Sequence, residues 1–403
     1  MAVGSGDLPT LLPVDGVRIG IASAGIKKAG KKDLTLFELA EGSAVASVYT
    51  LNAFCAAPVQ VAKAHQSLRP PRYLLINTGN ANAGTGEPGL AAARRSCEAV
   101  ADLVSLPAQS VLPFSTGVIG ELLPVDRLIK AIPAAIDDLQ SDHWAEAAAA
   151  ILTTDTRPKG ASRQLDIAGK TVTITGIAKG SGMIQPNMAT MLAYIATDVA
   201  LDGELWQQTL SSAVERSFNR ISVDGDTSTN DACVAVATGL SGVSPESDDD
   251  LARFTEAFDS LCLELAQAIV RDGEGATKFV SVEISGGRNE GECLDVAFTI
   301  AHSPLFKTAL FASDPNWGRL LAAIGRAGLD GLDVDRVRLH LNDVLIAEQG
   351  ARAVSYTEEQ GQAVMNEEEI RIQVDLGRGA AEATVWTTDL SHDYVRINAE
   401  YRT

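Results

Sequence analysis

Several residue types are scarce in this chain, and each scarcity closes off a class of function. Its 403 residues include 5 cysteines and 5 histidines. Cys55, Cys97, Cys233, Cys262 and Cys293 are dispersed and form no CxxC pair, which argues against a disulfide framework or a zinc site. They read as ordinary, mostly buried thiols. The histidines at 65, 143, 302, 340 and 392 show neither HxxxH nor HxH spacing and have no cysteine companions, so none is assigned to catalysis or to a metal. A lone histidine such as His302 is expected to be hydrogen-bonded and structural. No run approaches the roughly eighteen consecutive apolar residues of a membrane span, and no basic flank leads into an uninterrupted apolar core. The expectation is a cytoplasmic protein. Basic residues are outnumbered, 33 Lys and Arg against 52 Asp and Glu, for a formal net charge of −19. With no local basic cluster to offset it, that charge repels nucleic acid and anionic membrane surfaces. Local cations and backbone N–H groups can still hold a small anion. No internal repeat or low-complexity tract is present.

What the chain does contain is a 46% hydrophobic complement, spread over more residues than one core usually serves. Two lobes are therefore expected. Residues 18–23, 44–50 and 73–77 are short apolar runs bounded by Gly or Pro and read as buried strands. Segments 88–104 and 125–152 are alanine-rich with helical periodicity, the second carrying Leu128, Ile129, Ile132, Ile136 and Leu139 on one face. A strand is expected at 171–177. Helices are expected at 203–218 and 250–270, with Asp248-Asp249-Asp250 supplying charge to the N-terminus of the second. Alternation at 278–284, 294–300, 337–343 and 370–376 predicts half-buried strands. The pattern as a whole is α/β, turning to α+β in its second half.

The most informative block is Lys179-Gly180-Ser181-Gly182-Met183-Ile184-Gln185-Pro186-Asn187-Met188-Ala189-Thr190-Met191-Leu192, which enters an apolar, helix-like run. The bland account is a Gly-rich loop feeding a buried helix. The functional account is self-cleavage. A hydroxyl that follows a small residue can attack the preceding carbonyl, and hydrolysis of the resulting ester leaves Thr190 as a new N-terminus. Its hydroxyl and amine then form a nucleophile with its own base. Acyl transfer also needs donors aimed at the developing oxyanion. Ser115-Thr116-Gly117 is a candidate, since a glycine lets a backbone N–H approach a ligand closely. Thr153-Thr154-Asp155-Thr156-Arg157-Pro158-Lys159 is rich in hydroxyls and cations and is otherwise a polar loop after a helix. Lys179 is expected to reach a ligand carboxylate as a mobile point charge. In Arg271-Asp272-Gly273-Glu274-Gly275, glycines end a helix and leave Glu274 on a loop, where a solvated turn is the alternative. The polar blocks 77–84 and 224–231 are expected to shape the floor of a site. Asp224-Gly225-Asp226 lacks the ladder and distal glutamate of an EF-hand, so calcium is the poorer reading. Ser313–Arg319 reads as a turn with a packed indole.

Taken with Gly20–Gly25 near the start and Asn398–Thr403 at the end, these blocks closely resemble the ornithine acetyltransferase family, the glutamate N-acetyltransferases of the cyclic arginine pathway. The resemblance runs over essentially the whole chain. It implies a layered α/β sandwich that is superficially like the N-terminal nucleophile hydrolases but differently connected. It implies cleavage between Ala189 and Thr190 into 1–189 and 190–403, and assembly from two such cleaved pairs. It assigns Thr190 as nucleophile, Thr116 and Gly117 as the oxyanion hole, and Thr153, Lys179, Thr190, Glu274, Asn398 and Thr403 as substrate-binding. The implied reaction is ping-pong, with N2-acetylornithine as acetyl donor and glutamate as acceptor and with no metal or cofactor. Acetyl-CoA enters as an optional co-substrate, because no residue of the sequence decides whether it is a second donor. Two competing functions are a self-cleaving threonine amidase or aminopeptidase, which would release free acetate, and a non-catalytic scaffold, which would neither cut itself nor depend on Thr190.

Overall fold

The computed structural model describes residues 2–4, 6–27, 30–185 and 191–400. Among these, the strands form sheets of four, five and seven strands. The first runs Val17–Ala22, Leu34–Leu39, Tyr73–Asn80, Val111–Val118, its last two strands parallel. The second runs Ala44–Tyr49, Ala232–Ala237, Leu192–Thr197, Lys170–Lys179, Lys159–Ile167. Strict alternation decides what each face of the first sheet meets. Leu34, Leu36, Leu75 and Val111 pack against helices Gly86–Val104 and Val125–Asp137. Phe37, Leu74, Ile76 and Phe114 face the second sheet, where Tyr194 stacks on Phe37 at 5.3 Å and meets Phe114 edge-on at 5.5 Å. The far face of the second sheet is covered by helices Gly203–Arg216 and Asp248–Arg271. The result is a helix, sheet, sheet, helix stack.

A second lobe forms on the seven-stranded sheet, whose core strands are Glu369–Asp375, Phe279–Gly287 and Ala381–Thr388. Its apolar face packs with helices Glu290–Ala301, Pro304–Phe311 and Trp317–Gly325 into a separate core. The two expected lobes are thus present, and the mixed α/β pattern holds through both.

Three expectations are corrected. The apolar run after Thr190 is the strand Leu192–Thr197, not a helix; it is buried on both faces between two layers, and such a run carries no periodicity to separate strand from helix. Residues 294–300 lie in the helix Glu290–Ala301, where Asn289 caps the Glu292 N–H and Cys293, Val296, Ala297 and Ile300 form the buried stripe. Alternating Leu294, Val296, Phe298 and Ile300 mimic a strand there because a wide helical stripe includes some i, i+2 pairs. Segment 125–152 is two helices, Val125–Asp137 and Trp144–Ala150, because Gln140 exchanges backbone hydrogen bonds of 2.7 and 3.0 Å with Ile19 and so leaves the helical path. Leu139 is outside both.

Trp206 anchors the outer helical layer. It is wholly buried, its Nε1–H donates to the Ala235 carbonyl at 3.0 Å, and its ring lies 4.9 Å from Phe258 and 6.1 Å from Phe254. Trp206→Ala is expected to cost about 3–5 kcal/mol through the cavity it leaves. Chemical denaturation should show a lower midpoint, and an unchanged midpoint would mean that these layers do not unfold together.

Candidate active site

The first and second sheets bring the sequence-predicted residues together at one edge. Thr116 and Gly117 end the strand Val111–Val118, in register with Thr78 and Gly79 on the neighbouring strand. Gly117 has φ +136°, and a Cβ there would lie 2.2 Å from the Gly79 carbonyl carbon, so no other residue fits. Lys179 ends the strand Lys170–Lys179 directly opposite Leu192. A cavity of about 250 Å³ opens between these strand ends, lined by Thr116, Gly117, Thr153, Lys179, Glu274 and Asn398. These are all the predicted site residues that fall within the described part of the chain. Ala189, Thr190 and Thr403 lie outside the described residues. A second cavity of about 240 Å³ adjoins it, shares Gly117, Thr153 and Thr154, and is lined by Lys27 and Lys31.

Lys179 departs from its expected mobility. It is 4% exposed, and its Nζ donates to Thr116 Oγ1 at 3.0 Å, so it is a fixed, buried cation. Burial lowers its pKa, against the pull of Asp155, Asp231 and Glu274. Glu274 is likewise buried rather than solvated. Burial raises its pKa, its backbone N–H donates to the Ser181 carbonyl at 2.8 Å, and its Oε2 accepts from Asn398 Nδ2 at 2.7 Å. That last bond ties the C-terminal helix His392–Ala399 over the cavity. Thr154, beside the predicted Thr153, is a further lining residue whose hydroxyl pairs with Ser181 Oγ at 2.7 Å.

Beneath the cavity sits a buried ion cluster that sequence reasoning did not identify. Lys159 Nζ donates to Asp155 Oδ1 at 2.7 Å and Asp272 Oδ2 at 2.6 Å, with all three side chains almost fully enclosed. Asp155 also accepts from the Gly180 N–H at 2.7 Å and the Thr153 N–H at 3.2 Å, while Asp272 accepts from the backbone and hydroxyl of Thr156. Burial opposes the Asp155 charge, but Lys159, Lys179 and the Gly180 N–H outweigh it and hold the carboxyl well below the usual carboxylate range. The cluster fixes the Thr153 loop to the glycines after Lys179. The i, i+4 pairing of Asp155 with Lys159 was visible in sequence; Asp272, more than a hundred residues on, was not.

The block 224–231 does shape the floor, in a more specific way than expected. Ser228 and Asn230 line the cavity, and Asn230 Nδ2 donates to the Ala81 and Ser115 carbonyls at 2.6 and 2.9 Å. Asp224 accepts from the Met183 and Ile184 N–H groups at 2.6 and 2.9 Å, and Asp231 Oδ1 accepts from the Met191 N–H at 3.0 Å. Two carboxyls of one loop therefore hold the chain on either side of residues 186–190. Block 77–84 buttresses the oxyanion candidate through Asn77 Oδ1, which accepts from Ser115 Oγ at 2.6 Å. Among the described residues no group of three His, Cys, Asp or Glu is placed to hold a metal ion. His302 differs from its expected role: it stacks on Phe298, its Nε2 has no hydrogen-bond partner among the described residues, and burial lowers its pKa to about 4.

Comparison with known proteins agrees in one direction. The ArgJ family model matches residues 18–403. The arginine biosynthesis bifunctional protein ArgJ of Pseudomonas syringae pv. tomato is 60% identical over 414 residues, covering 100% of both chains. Its counterpart in Methylococcus capsulatus is 58% identical, covering 98% of this chain and 97% of its own length. A solved structure of ornithine acetyltransferase complexed with ornithine, from Mycobacterium tuberculosis, is 31% identical over 44% of this chain and 95% of that one, with a TM-score of 0.38.

Lys159→Met should cost about 3–5 kcal/mol, because it strands buried carboxylates without their cation. The pH dependence gives the sign. A depressed Asp155 pKa contributes stability that is present above the unfolded value of about 3.9 and is lost as pH falls below it. The wild type should therefore weaken in acid, whereas the variant, relieved of charge by protonation, should recover part of its deficit. Parallel acid profiles for the two proteins would show that the cluster is not the source.

Proposed function

The chain belongs to the ArgJ family, and from that membership we propose that it moves an acetyl group from N2-acetylornithine to glutamate through an acetyl ester on Thr190. One observation supports this reading above the others: a candidate oxyanion hole, a buried lysine and a buried glutamate converge on one cavity beside the strand that follows residue 190. In this reading the chain cuts itself between Ala189 and Thr190, giving pieces 1–189 and 190–403. The new α-amine, with an ordinary pKa near 7.7–8.0, takes the proton from the threonine hydroxyl as that oxygen attacks the acetyl carbonyl.

Lys179 donates to Thr116 Oγ1, so the Thr116 hydroxyl hydrogen is left free to turn toward a negative oxygen, and the adjacent cation polarises that O–H. The Gly117 N–H supplies the second donor. Both are held in place before reaction by paired strand ends, and preorganised donors of this kind need no reorganisation as the charge develops. Glu274, steadied by Asn398, receives the ammonium of the bound amino acid, and Thr153 and Thr403 complete its contacts. Ornithine leaves with the amine's proton, glutamate enters the same cavity, and the steps run in reverse to give N-acetylglutamate. Acetylation of glutamate from acetyl-CoA is the second activity of the proposal. Two copies of each piece assemble into the working cytoplasmic enzyme. Among the described residues no helix is long and apolar enough to cross a membrane.

Denaturing gels of active protein should show two pieces, and Thr190→Ala should stay uncut and form no N-acetylglutamate from N2-acetylornithine and glutamate. A single band from an active preparation, or free acetate as the product, would overturn the proposal. Thr116→Ala should lower kcat about a hundredfold or more with KM little changed, measured on protein already shown to be fully cut. A raised KM at constant kcat would make Thr116 a binding residue instead.

A further inference from the structure

The acetyl-transfer scheme fills the first cavity and leaves the second without a role. The two cavities share Gly117, Thr153 and Thr154 as walls, so a ligand whose reacting end lies at Gly117 can extend from one into the other. The second, of about 240 Å³, carries Lys27 and Lys31 on its lining. Both lysines are exposed, in contrast with the enclosed Lys179.

The fold brings both lysines close to the shared walls. Gly79 is paired with Gly117 across parallel strands, and a Cβ on Gly79 would lie 3.1 Å from the Lys27 Cβ, so Lys27 sits against the immediate neighbour of the candidate oxyanion hole. Lys31 Nζ donates to the Leu152 carbonyl at 2.8 Å, which puts that cation beside Thr153. An ammonium has several N–H donors and a carbonyl is neutral, so this bond positions the group and leaves its charge in place. Asp33 lines the same cavity, but it is 2% exposed and its two oxygens accept the Ala24 and Ile26 N–H groups, each at 2.6 Å. It builds the turn that delivers Lys27. Glu400, just past the C-terminal helix, adds an exposed carboxylate. Among the described residues, the exposed charges on this lining are therefore two ammonium groups and one carboxylate, an excess that favours an anion.

We propose that the second cavity is the side-chain subsite of the acetyl acceptor, in which Lys27 and Lys31 hold the distal carboxylate of glutamate. The inference rests on the acetyl-transfer reading above and adds the residues that choose the acceptor. In a ping-pong scheme one site receives first an amino acid with a side-chain ammonium and then one with a side-chain carboxylate. The groups around the α-carbon can use the first cavity in both cases, so discrimination falls where the side chains end. Lysines on long, exposed stems suit that alternation, because they can turn toward a carboxylate and withdraw to water from an ammonium. The substrate carboxylate joins the contacts that these lysines already make; the subsite does not need either to stand alone. Glutamine keeps the shape of glutamate without its charge and so isolates the effect.

The test is initial-rate kinetics on the full-length, cut protein, with N2-acetylornithine as donor and glutamate or glutamine as acceptor. The wild type should prefer glutamate about tenfold or more in kcat/KM, and added salt should reduce that preference, because exposed charge pairs are screened. Combining Lys27→Gln with Lys31→Gln should raise the KM for glutamate about tenfold. The KM for N2-acetylornithine, and the burst of ornithine released before glutamate is added, should change little. The preference for glutamate over glutamine should shrink by the same factor, which a general loosening of the site would not produce. Four results overturn the proposal: a wild type with no preference or a salt-insensitive one, a variant that keeps the full preference, equal rises in both KM values, and a rise confined to the KM for acetyl-CoA, which would assign the lysines to that donor's phosphates. The salt dependence is read on the wild type and stands even if the variant fails to fold. A wild type that forms no N-acetylglutamate would remove the acetyl-transfer reading itself, whereas wild-type transfer with an undiminished preference in the variant removes only the role of the two lysines.

Discussion

The site depends on the double pairing of one short strand. Leu192–Thr197 is laddered in parallel to Ala232–Ala237 on one side and antiparallel to Lys170–Lys179 on the other, and every one of its residues is buried. Each pairing fixes a buried, ionisable neighbour. The antiparallel ladder sets Lys179 opposite Leu192, and the parallel ladder sets Asp231 beside Met191. Side chains alternate across such a strand, so a slip of one residue would exchange its two apolar faces and would be resisted by both cores at once. The chain direction at Met191 is therefore settled by two cores rather than by the loop before it. A cut upstream of Met191 leaves that arrangement standing, because the ladders hold the strand and the missing peptide bond does not.

The second sheet also explains why the chain's two lobes are not its two proposed pieces. A boundary at 189/190 runs between neighbouring strands of one sheet, so the pieces share a core containing Ile177, Tyr194 and Val234. Separation would expose that core on both sides, and association of the pieces is accordingly part of folding rather than a later docking step. The Asp155, Lys159 and Asp272 cluster crosses the same boundary, with Asp272 beyond it. A buried ion pair contributes little net stability compared with apolar packing, but removing one partner is costly. What it gives here is placement of Thr153 and Gly180 at the cavity wall.

Much of this was legible in sequence, for identifiable reasons. Thr116, Gly117 and Lys179 stand in short local blocks marked by glycines and hydroxyls, whereas Thr153, Glu274 and Asn398 were singled out through the family resemblance, and all of them reach one cavity. The strands at 44–50 and 370–376 carried their own boundaries in flanking Gly and polar residues. The failures have a common origin in tertiary context. The run from Met191 onward has no period because both its faces are buried, and the 294–300 stripe is wide enough to imitate a strand. Lys179 looked mobile because its hydrogen-bond partner Thr116 is on a different strand, and Asp231 looked like one member of a polar loop because nothing local shows that its Oδ2 is enclosed.

The acidic surplus of the chain has a local counterpart around Lys179. Lys179 faces the carboxyls of Asp155, Asp231 and Glu274, and of these three Glu274 lines the cavity. Burial acts against charge of either sign: it lowers the Lys179 pKa and raises those of Asp231 and Glu274. Asp155 escapes that tendency because Lys159 and the Gly180 N–H touch it directly. Inside that cluster one lysine faces two carboxylates, and Lys179 adds to the stabilisation of Asp155 from the cavity side. The cavity itself is lined by Lys179 and Glu274, one group of each sign, beside Thr116 and Gly117. In the proposed function, a lining with one basic and one acidic group suits an amino acid that carries both charges. This is why a net charge of −19 on the chain predicts nothing about the sign of the substrate it holds.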